Sequence, residues 1–288
     1  MTAPDAAAIL LHGPSVLVSI ATAALAPMAL RIAGTGRRLP RAALVAGLLA
    51  AASLWLPAGG AAVALVAPYA AVCAIAGAIG ALRLLTRPVP ASQLAVNAGL
   101  IALAGAAVWL VSHRAGYALL GYPPLWVLLT AAHFHVAGAF LAIVVGWRVH
   151  GRGRWTGAIA LGCVAGVPLT AAGIAGPHAL EVVAALVMAA SGAAAAGLLL
   201  ATPREDPSSL GLRIAGAVLA AGMVLAAGYA LRDHGLAIAI AGLDPLSSMI
   251  ITHGALDTLF AAIALGALVR RAPHVVPAPD AAGADPPA

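Results

Sequence analysis

The stretch 61–82 reads AAVALVAPYAAVCAIAGAIGAL and contains no charged residue. A helix needs about 20 consecutive apolar residues to cross the hydrocarbon layer of a membrane, so this stretch is long enough to do so. Strands of a membrane barrel alternate apolar and polar residues over segments of about ten residues, and this stretch shows no such alternation. It therefore predicts a membrane-spanning helix.

The composition extends that conclusion to the whole chain. Apolar residues make up 63% of the 288 positions and charged residues only 8%, whereas a soluble domain carries about 25% charged residues. So few charges cannot cover a water-facing surface, but they suit a protein that faces lipid. The two cysteines, Cys73 and Cys163, lie inside apolar runs and predict neither a disulfide framework nor a metal site.

Further apolar runs of the same kind predict an all-α, polytopic transmembrane bundle over residues 1–271. The residues beyond, 272–288, are mostly Pro, Ala and Asp without an apolar period, and we expect a disordered cytoplasmic tail. The nine predicted spans are 14–33, 42–57, 61–82, 92–112, 124–147, 155–175, 177–201, 210–231 and 247–269.

The arginines predict how the bundle is oriented. All fifteen basic residues are Arg, and they lie between apolar runs, which indicates topology determination rather than nucleic-acid binding. With nine spans and the N-terminus outside, nearly every Arg falls in a cytoplasmic loop or at the cytoplasmic C-terminus. The exceptions are Arg114 and Arg232. This asymmetry predicts a multi-pass protein of the cell inner (cytoplasmic) membrane, with the lipid bilayer as its surroundings.

Two histidines lie near the middle of the fifth predicted span, His133 and His135. Ionisable groups are costly in the hydrocarbon region, so each needs a partner or a function. Two residues on a helix are about 200° apart, so the two side chains cannot face the same point. They either form hydrogen bonds to neighbouring helices, or one of them faces a polar cavity.

Two further pairs of ionisable residues share a helix face. His253 and Asp257 are four residues apart in the last span, and His178 and Glu181 are three apart at the start of the seventh. A plain intrahelical pair explains the first, and a favourable position at a helix N-terminus explains Glu181. The functional hypothesis instead places all six residues in a polar site between spans five, seven and nine, open toward the outside.

Two short blocks resemble the YndJ-like family of bacterial membrane proteins. The first is HFHVAGAF at 133–140 and the second is THGALD at 252–257. Asp257 stands where the second block of the family carries Asn, which adds a titratable group and puts a shared mechanism in doubt. The resemblance implies a transporter of unassigned substrate, and the leading hypothesis is accordingly a small-molecule or ion transporter whose His, Asp and Glu side chains handle protons or a polar substrate.

Other functions stay open at this point. His133, His253 and Asp257 suit a Zn²⁺ site of an intramembrane enzyme that acts on a lipid or another apolar substrate. His133 or His135 together with His253 suits haem ligation. The polar groups also suit a membrane scaffold in which they hold helices together.

Overall fold

The structure is a computed structural model that describes residues 3–86, 88–151, 153–175, 178–231 and 243–271. Within these ranges the chain forms nine long helices and no strand. They are α1 (Ala3–Ile20, Ala21–Leu25 and Ala26–Ile32), α2 (Arg38–Ser53), α3 (Gly60–Thr86), α4 (Ala91–Arg114), α5 (Pro124–His133, Phe134–Leu141 and Ala142–Val149), α6 (Arg154–Ala175), α7 (His178–Leu200), α8 (Ser209–Ala230) and α9 (Pro245–Met249, Ile250–Gly254 and Ala255–Arg271).

The nine helices match the nine predicted spans in order and position, so the all-α bundle is confirmed. Eight of them are long and apolar enough to cross a membrane. The ninth is α2, which has 16 residues. The first helix begins at Ala3 rather than near residue 14, because the Ala- and Leu-rich segment before the apolar run also favours helix. The predicted tail lies outside the described residues.

Prolines mark where several helices begin. Pro124 and Pro245 occupy the first position of α5 and α9, where the missing N–H would have no partner in any case. Asp244 caps α9 by accepting a hydrogen bond from the Ser247 backbone N–H at 3.0 Å. The sequence alone therefore fixes where the two helices that carry most of the candidate site residues begin.

Most helices pack against their neighbours in sequence, but the first, fifth and ninth also meet one another. Close approach depends on small residues. A Cβ atom on Gly146 of α5 would lie 2.6 Å from the Ser92 carbonyl oxygen of α4. Gly162 and Gly166 of α6 leave room for Ser191 and Met188 of α7 in the same way.

Three arginines bind the carbonyl groups at the C-terminal ends of other helices. Arg83 donates to Ala33 and Gly34 at the end of α1, at 2.9 and 2.8 Å. Arg148, only 6% exposed, donates to Leu198 and Ala201 at the end of α7. A cation is stabilised at a helix C-terminus, where the last carbonyls lack intrahelical partners.

Arg114 does the same at the opposite end of the bundle. It is 3% exposed and donates to the Leu56 carbonyl just after α2. The predicted topology places Arg114 and one other arginine outside. The contact with Leu56 gives a structural reason for the presence of Arg114 there.

The helices α1, α5 and α9 share an unusual feature. Each contains a π-helical segment, at Ala21–Leu25, Phe134–Leu141 and Ile250–Gly254. The segments of α1 and α5 contact each other, and that of α9 contacts α1 and α8. π-Helical turns in α-helices are rare and occur frequently at functional sites.

Candidate functional site

The last helix carries the central pair of the site. His253 Nε2 lies 3.4 Å from Asp257 Oδ2, with Asp257 one turn further along α9. The Asp257 side chain is 12% exposed and the His253 side chain is 19% exposed. Asp257 lies about 18 Å along the helix from Pro245, at 1.5 Å per residue. A carboxyl group is thus held well inside the bundle, next to a histidine that retains some access.

Gly222 of α8 lies against both members of this pair. Its carbonyl oxygen accepts a hydrogen bond from His253 Nδ1 at 3.1 Å. A Cβ atom on Gly222 would lie 2.6 Å from Asp257 Oδ1, closer than real Cβ atoms approach another heavy atom. Glycine at this position therefore lets α8 lie against the carboxyl group without a turn of the Asp257 side chain.

His133 of α5 is the third ionisable group. It ends the N-terminal segment of α5, directly before the π-helical segment that contacts α9. The His133 Nε2 atom is buried and has no hydrogen-bond partner among the described residues. Asp257 Oδ1 is in the same condition. Buried polar atoms in native proteins are usually paired, so both atoms have unused capacity for a proton or a polar ligand.

His135 has a different environment from His133. Its Nδ1 donates to the Ala131 carbonyl at 2.7 Å, and its Nε2 lies 2.8 Å from the Tyr69 hydroxyl of α3. Since a carbonyl can only accept, the proton of a neutral ring is on Nδ1, and the Tyr69 hydroxyl donates to Nε2. Both ring nitrogens are therefore occupied, which makes His135 a structural link between α3 and α5.

A comparison with known protein families adds to this geometry. The model of the family described as YndJ-like protein matches residues 16–261. The chain belongs to the YndJ-like family. The match runs from α1 into α9 and includes His133, His253 and Asp257. No curated protein and no solved structure matches the chain.

The first helix of this YndJ-like chain is a part of the site region that sequence reasoning missed. It packs against the N-terminal segment of α5 and the π-helical segment of α9, where Leu17 lies against Gly254. Its Ser15, Ser19 and Thr22 follow an i, i+4, i+7 pattern, and the buried Ser19 Oγ has no partner among the described residues. That spacing places three hydroxyl groups on one helix face. It is the sequence pattern that could have indicated a role for α1 in the site region.

The seventh helix is placed differently from the other two helices of the predicted site. It packs mainly against α6 and α8 and also contacts the last segment of α5. Glu181 is half-buried in its first turn. His178 begins the helix, but its side chain lies outside the described residues. Spans five and nine of the predicted site therefore meet, and α1 and α8 also pack against α9.

The ionisable groups of the candidate site can bind protons and polar groups. In the part of the chain that the structure describes, no group of three His, Cys, Asp or Glu side chains is arranged to hold a metal ion. The pair of His253 and Asp257, together with His133, offers two ring nitrogens and one carboxylate. Such a set can accept, hold and release one positive charge.

Proposed function

We propose that this YndJ-like protein is a proton-linked transporter of a small polar molecule or ion in the bacterial inner membrane. Its intramembrane site consists of His133, His253 and Asp257. The observation that carries the proposal is the buried Asp257 carboxyl group, which contacts His253 on one oxygen and whose second oxygen has no partner among the described residues. A carboxyl group inside a membrane protein is costly unless it is used, and proton relays and substrate pathways are its common uses.

The surroundings of the site support access from the end at which α9 begins, which we propose faces outside. His253 lies about 12 Å along α9 from Pro245, and its side chain retains exposure. His178 and Glu181 begin α7 at the same end and are proposed to lie near the entrance.

The opposite end of α5 and α9 is tied together. Arg271 forms an ion pair with Asp206 of the α7–α8 loop, and its guanidinium lies 5.0 Å from the ring centroid of Trp147 in α5. Asp206 in turn accepts hydrogen bonds from the Ser208 backbone and hydroxyl, at 2.9 and 2.6 Å. These contacts are suited to keeping the inner end closed while the outer end admits a ligand.

Transport by reconstituted protein tests the proposal. We would place the protein in liposomes on a solid-supported membrane and record currents after jumps in proton, alkali cation, amine, amino acid and sugar concentration. We expect at least one of these concentration jumps to evoke a current in the wild-type protein; it can be the proton jump alone. We expect His253→Ala and Asp257→Ala to abolish this current without loss of membrane insertion. Asp244→Asn is the matched control, since it changes an exposed Asp of the same helix and Asn also caps helices well. Responses of both Ala variants equal to wild type, at equal protein in the liposomes, would refute the site.

A further inference from the structure

The hydrogen bond between His253 and Gly222 restricts where the protons of the site are. His253 Nδ1 lies 3.1 Å from the Gly222 carbonyl oxygen. A carbonyl oxygen has no hydrogen to donate, so Nδ1 must carry the proton of this bond. In a neutral imidazole that leaves Nε2 as a bare acceptor.

The second ring nitrogen faces another acceptor. His253 Nε2 is 3.4 Å from Asp257 Oδ2, and an ionised carboxylate offers only lone pairs. A bare Nε2 and an ionised carboxylate would therefore repel each other at this distance, and low polarity around them strengthens that repulsion. One proton between the two atoms removes it. The proton lies either on Nε2, giving an imidazolium beside a carboxylate, or on Asp257, whose O–H then donates to Nε2.

We infer that this structure is the proton-loaded state of the His253–Asp257 pair, and that Gly222 couples the shared proton to the packing of α8 against α9. The inference rests on the proposed function, because it assigns the proton as the charge that the site exchanges. Release of the proton leaves two facing acceptors. The repulsion between the two acceptors is relieved when the His253 ring turns so that a ring N–H faces Asp257. This turn breaks the hydrogen bond between His253 and Gly222.

The neighbouring helices leave few other groups to compensate the charge. The described part of α5 contributes His133, whose buried Nε2 has no described partner and can accept the released proton. Helix α1 has no ionisable side chain between His12 and Arg31, and α8 has none between Arg213 and Tyr229. His135 is saturated by Ala131 and Tyr69. The proton therefore leaves either to His133 or through the exposed edge of the His253 side chain.

Gly222 is suited to this coupling because it touches both members of the pair. Its carbonyl holds the His253 ring, and its Cα side is filled by Asp257 Oδ1. A change in either contact alters how closely α8 can pack on α9. The proton is thereby linked to a helix interface.

Nitrogen-15 NMR of histidine-labelled protein in lipid nanodiscs tests the inference, because it separates the two neutral tautomers and the imidazolium. His253 is assigned from the signal that His253→Gln removes, and the neutral Nδ1–H pattern expected of His135 reports an intact fold. At neutral pH we expect a protonated Nδ1 of His253 and an Nε2 that carries or accepts the shared proton. Raising the pH should produce a single transition at His253. In that transition Nε2 either loses the shared proton or gains the ring proton through a change of tautomer. A bare Nδ1 at neutral pH, or a bare Nε2 that no pH change affects, would overturn the inference.

A variant of the carboxyl group gives a second test. Asparagine has the shape of the protonated acid, and its amide N–H₂ can donate to Nε2 without a titratable proton. We expect Asp257→Asn to keep Nδ1 protonated and to remove the pH-dependent change of Nε2, while Asp244→Asn titrates like wild type. A change in Asp257→Asn equal to that in wild type would show that the proton is not shared with Asp257. The spectra do not depend on transport, so the two proposals can fail separately. A shared proton in a protein that transports nothing would refute the proposed function but would support the inferred protonation state.

Discussion

The Tyr69 hydroxyl lies 2.8 Å from His135 Nε2, and the two rings stack with centroids 5.8 Å apart in the interior of the bundle. Both residues are fully buried. This bond separates the two histidines of the HFH sequence by function. His135 joins α3 to α5, whereas the buried Nε2 of His133 has no hydrogen-bond partner among the described residues.

Removal of the tyrosine hydroxyl should affect stability rather than transport. Tyr69→Phe leaves His135 Nε2 buried without a donor, which costs about 1–3 kcal/mol. Thermal unfolding in detergent measures the loss, and Tyr117→Phe is the matched control because Tyr117 is 63% exposed. A Tyr69→Phe protein that is as stable as wild type but inactive would instead assign His135 to the site.

A methyl group on Gly222 should disable the site. The new Cβ of Gly222→Ala would meet Asp257 Oδ1, so α8 must move away from α9 or the carboxyl group must turn. We expect loss of the currents described above and a destabilisation of about 1–3 kcal/mol, the usual cost of overpacking. Gly266→Ala, in α9, is the control because its Cβ meets nothing within 4 Å. Equal behaviour of the two variants would contradict the close packing of α8 on Asp257.

The orientation of the bundle stays a prediction and has a direct test. Nine spans with an outside N-terminus place the C-terminus in the cytoplasm, following the distribution of arginines. A reporter enzyme fused after residue 288 that is active only in the cytoplasm should therefore be active. An inactive reporter on a stably inserted protein, with activity from a periplasmic reporter at the same position, would reverse the topology.

The start of α9 should loosen in acid. The hydrogen bonds that Ser247 donates from its hydroxyl and its backbone N–H hold the pKa of Asp244 below its ordinary value. A carboxyl group with a lowered pKa in the folded state stabilises that state above the pKa of the unfolded chain, about 3.9. The stabilisation is lost as the pH falls through the lower, folded value.

Hydrogen exchange of the residues that begin α9 measures this effect. We expect faster exchange, after correction for the intrinsic rate, as the pH drops below about 4. Asp244→Asn keeps a capping side chain without a titratable group, so its corrected exchange should not depend on pH in this range. An equal acid response in both proteins would assign the loosening to other carboxyl groups.

The sequence by itself determined the number, order and approximate bounds of the helices. Uncharged runs of sufficient length have one stable backbone structure in lipid when no closed barrel is possible, because every N–H and C=O must find a partner within the segment. It also determined that His253 and Asp257 share a face, since a spacing of four residues is a local property of a helix. The family resemblance carried by HFHVAGAF and THGALD is likewise confirmed.

Only the tertiary structure decided which helices surround those residues. It placed α1 and α8 beside α5 and α9, gave His135 a partner in Tyr69, and set Gly222 against Asp257. These contacts join residues that are far apart in the chain; Tyr69 and His135, for example, are 66 positions apart. In a bundle whose faces are nearly all Ala, Leu and Gly, the apolar pattern is too uniform to choose neighbours, and the choice depends on packing and on a few buried hydrogen bonds.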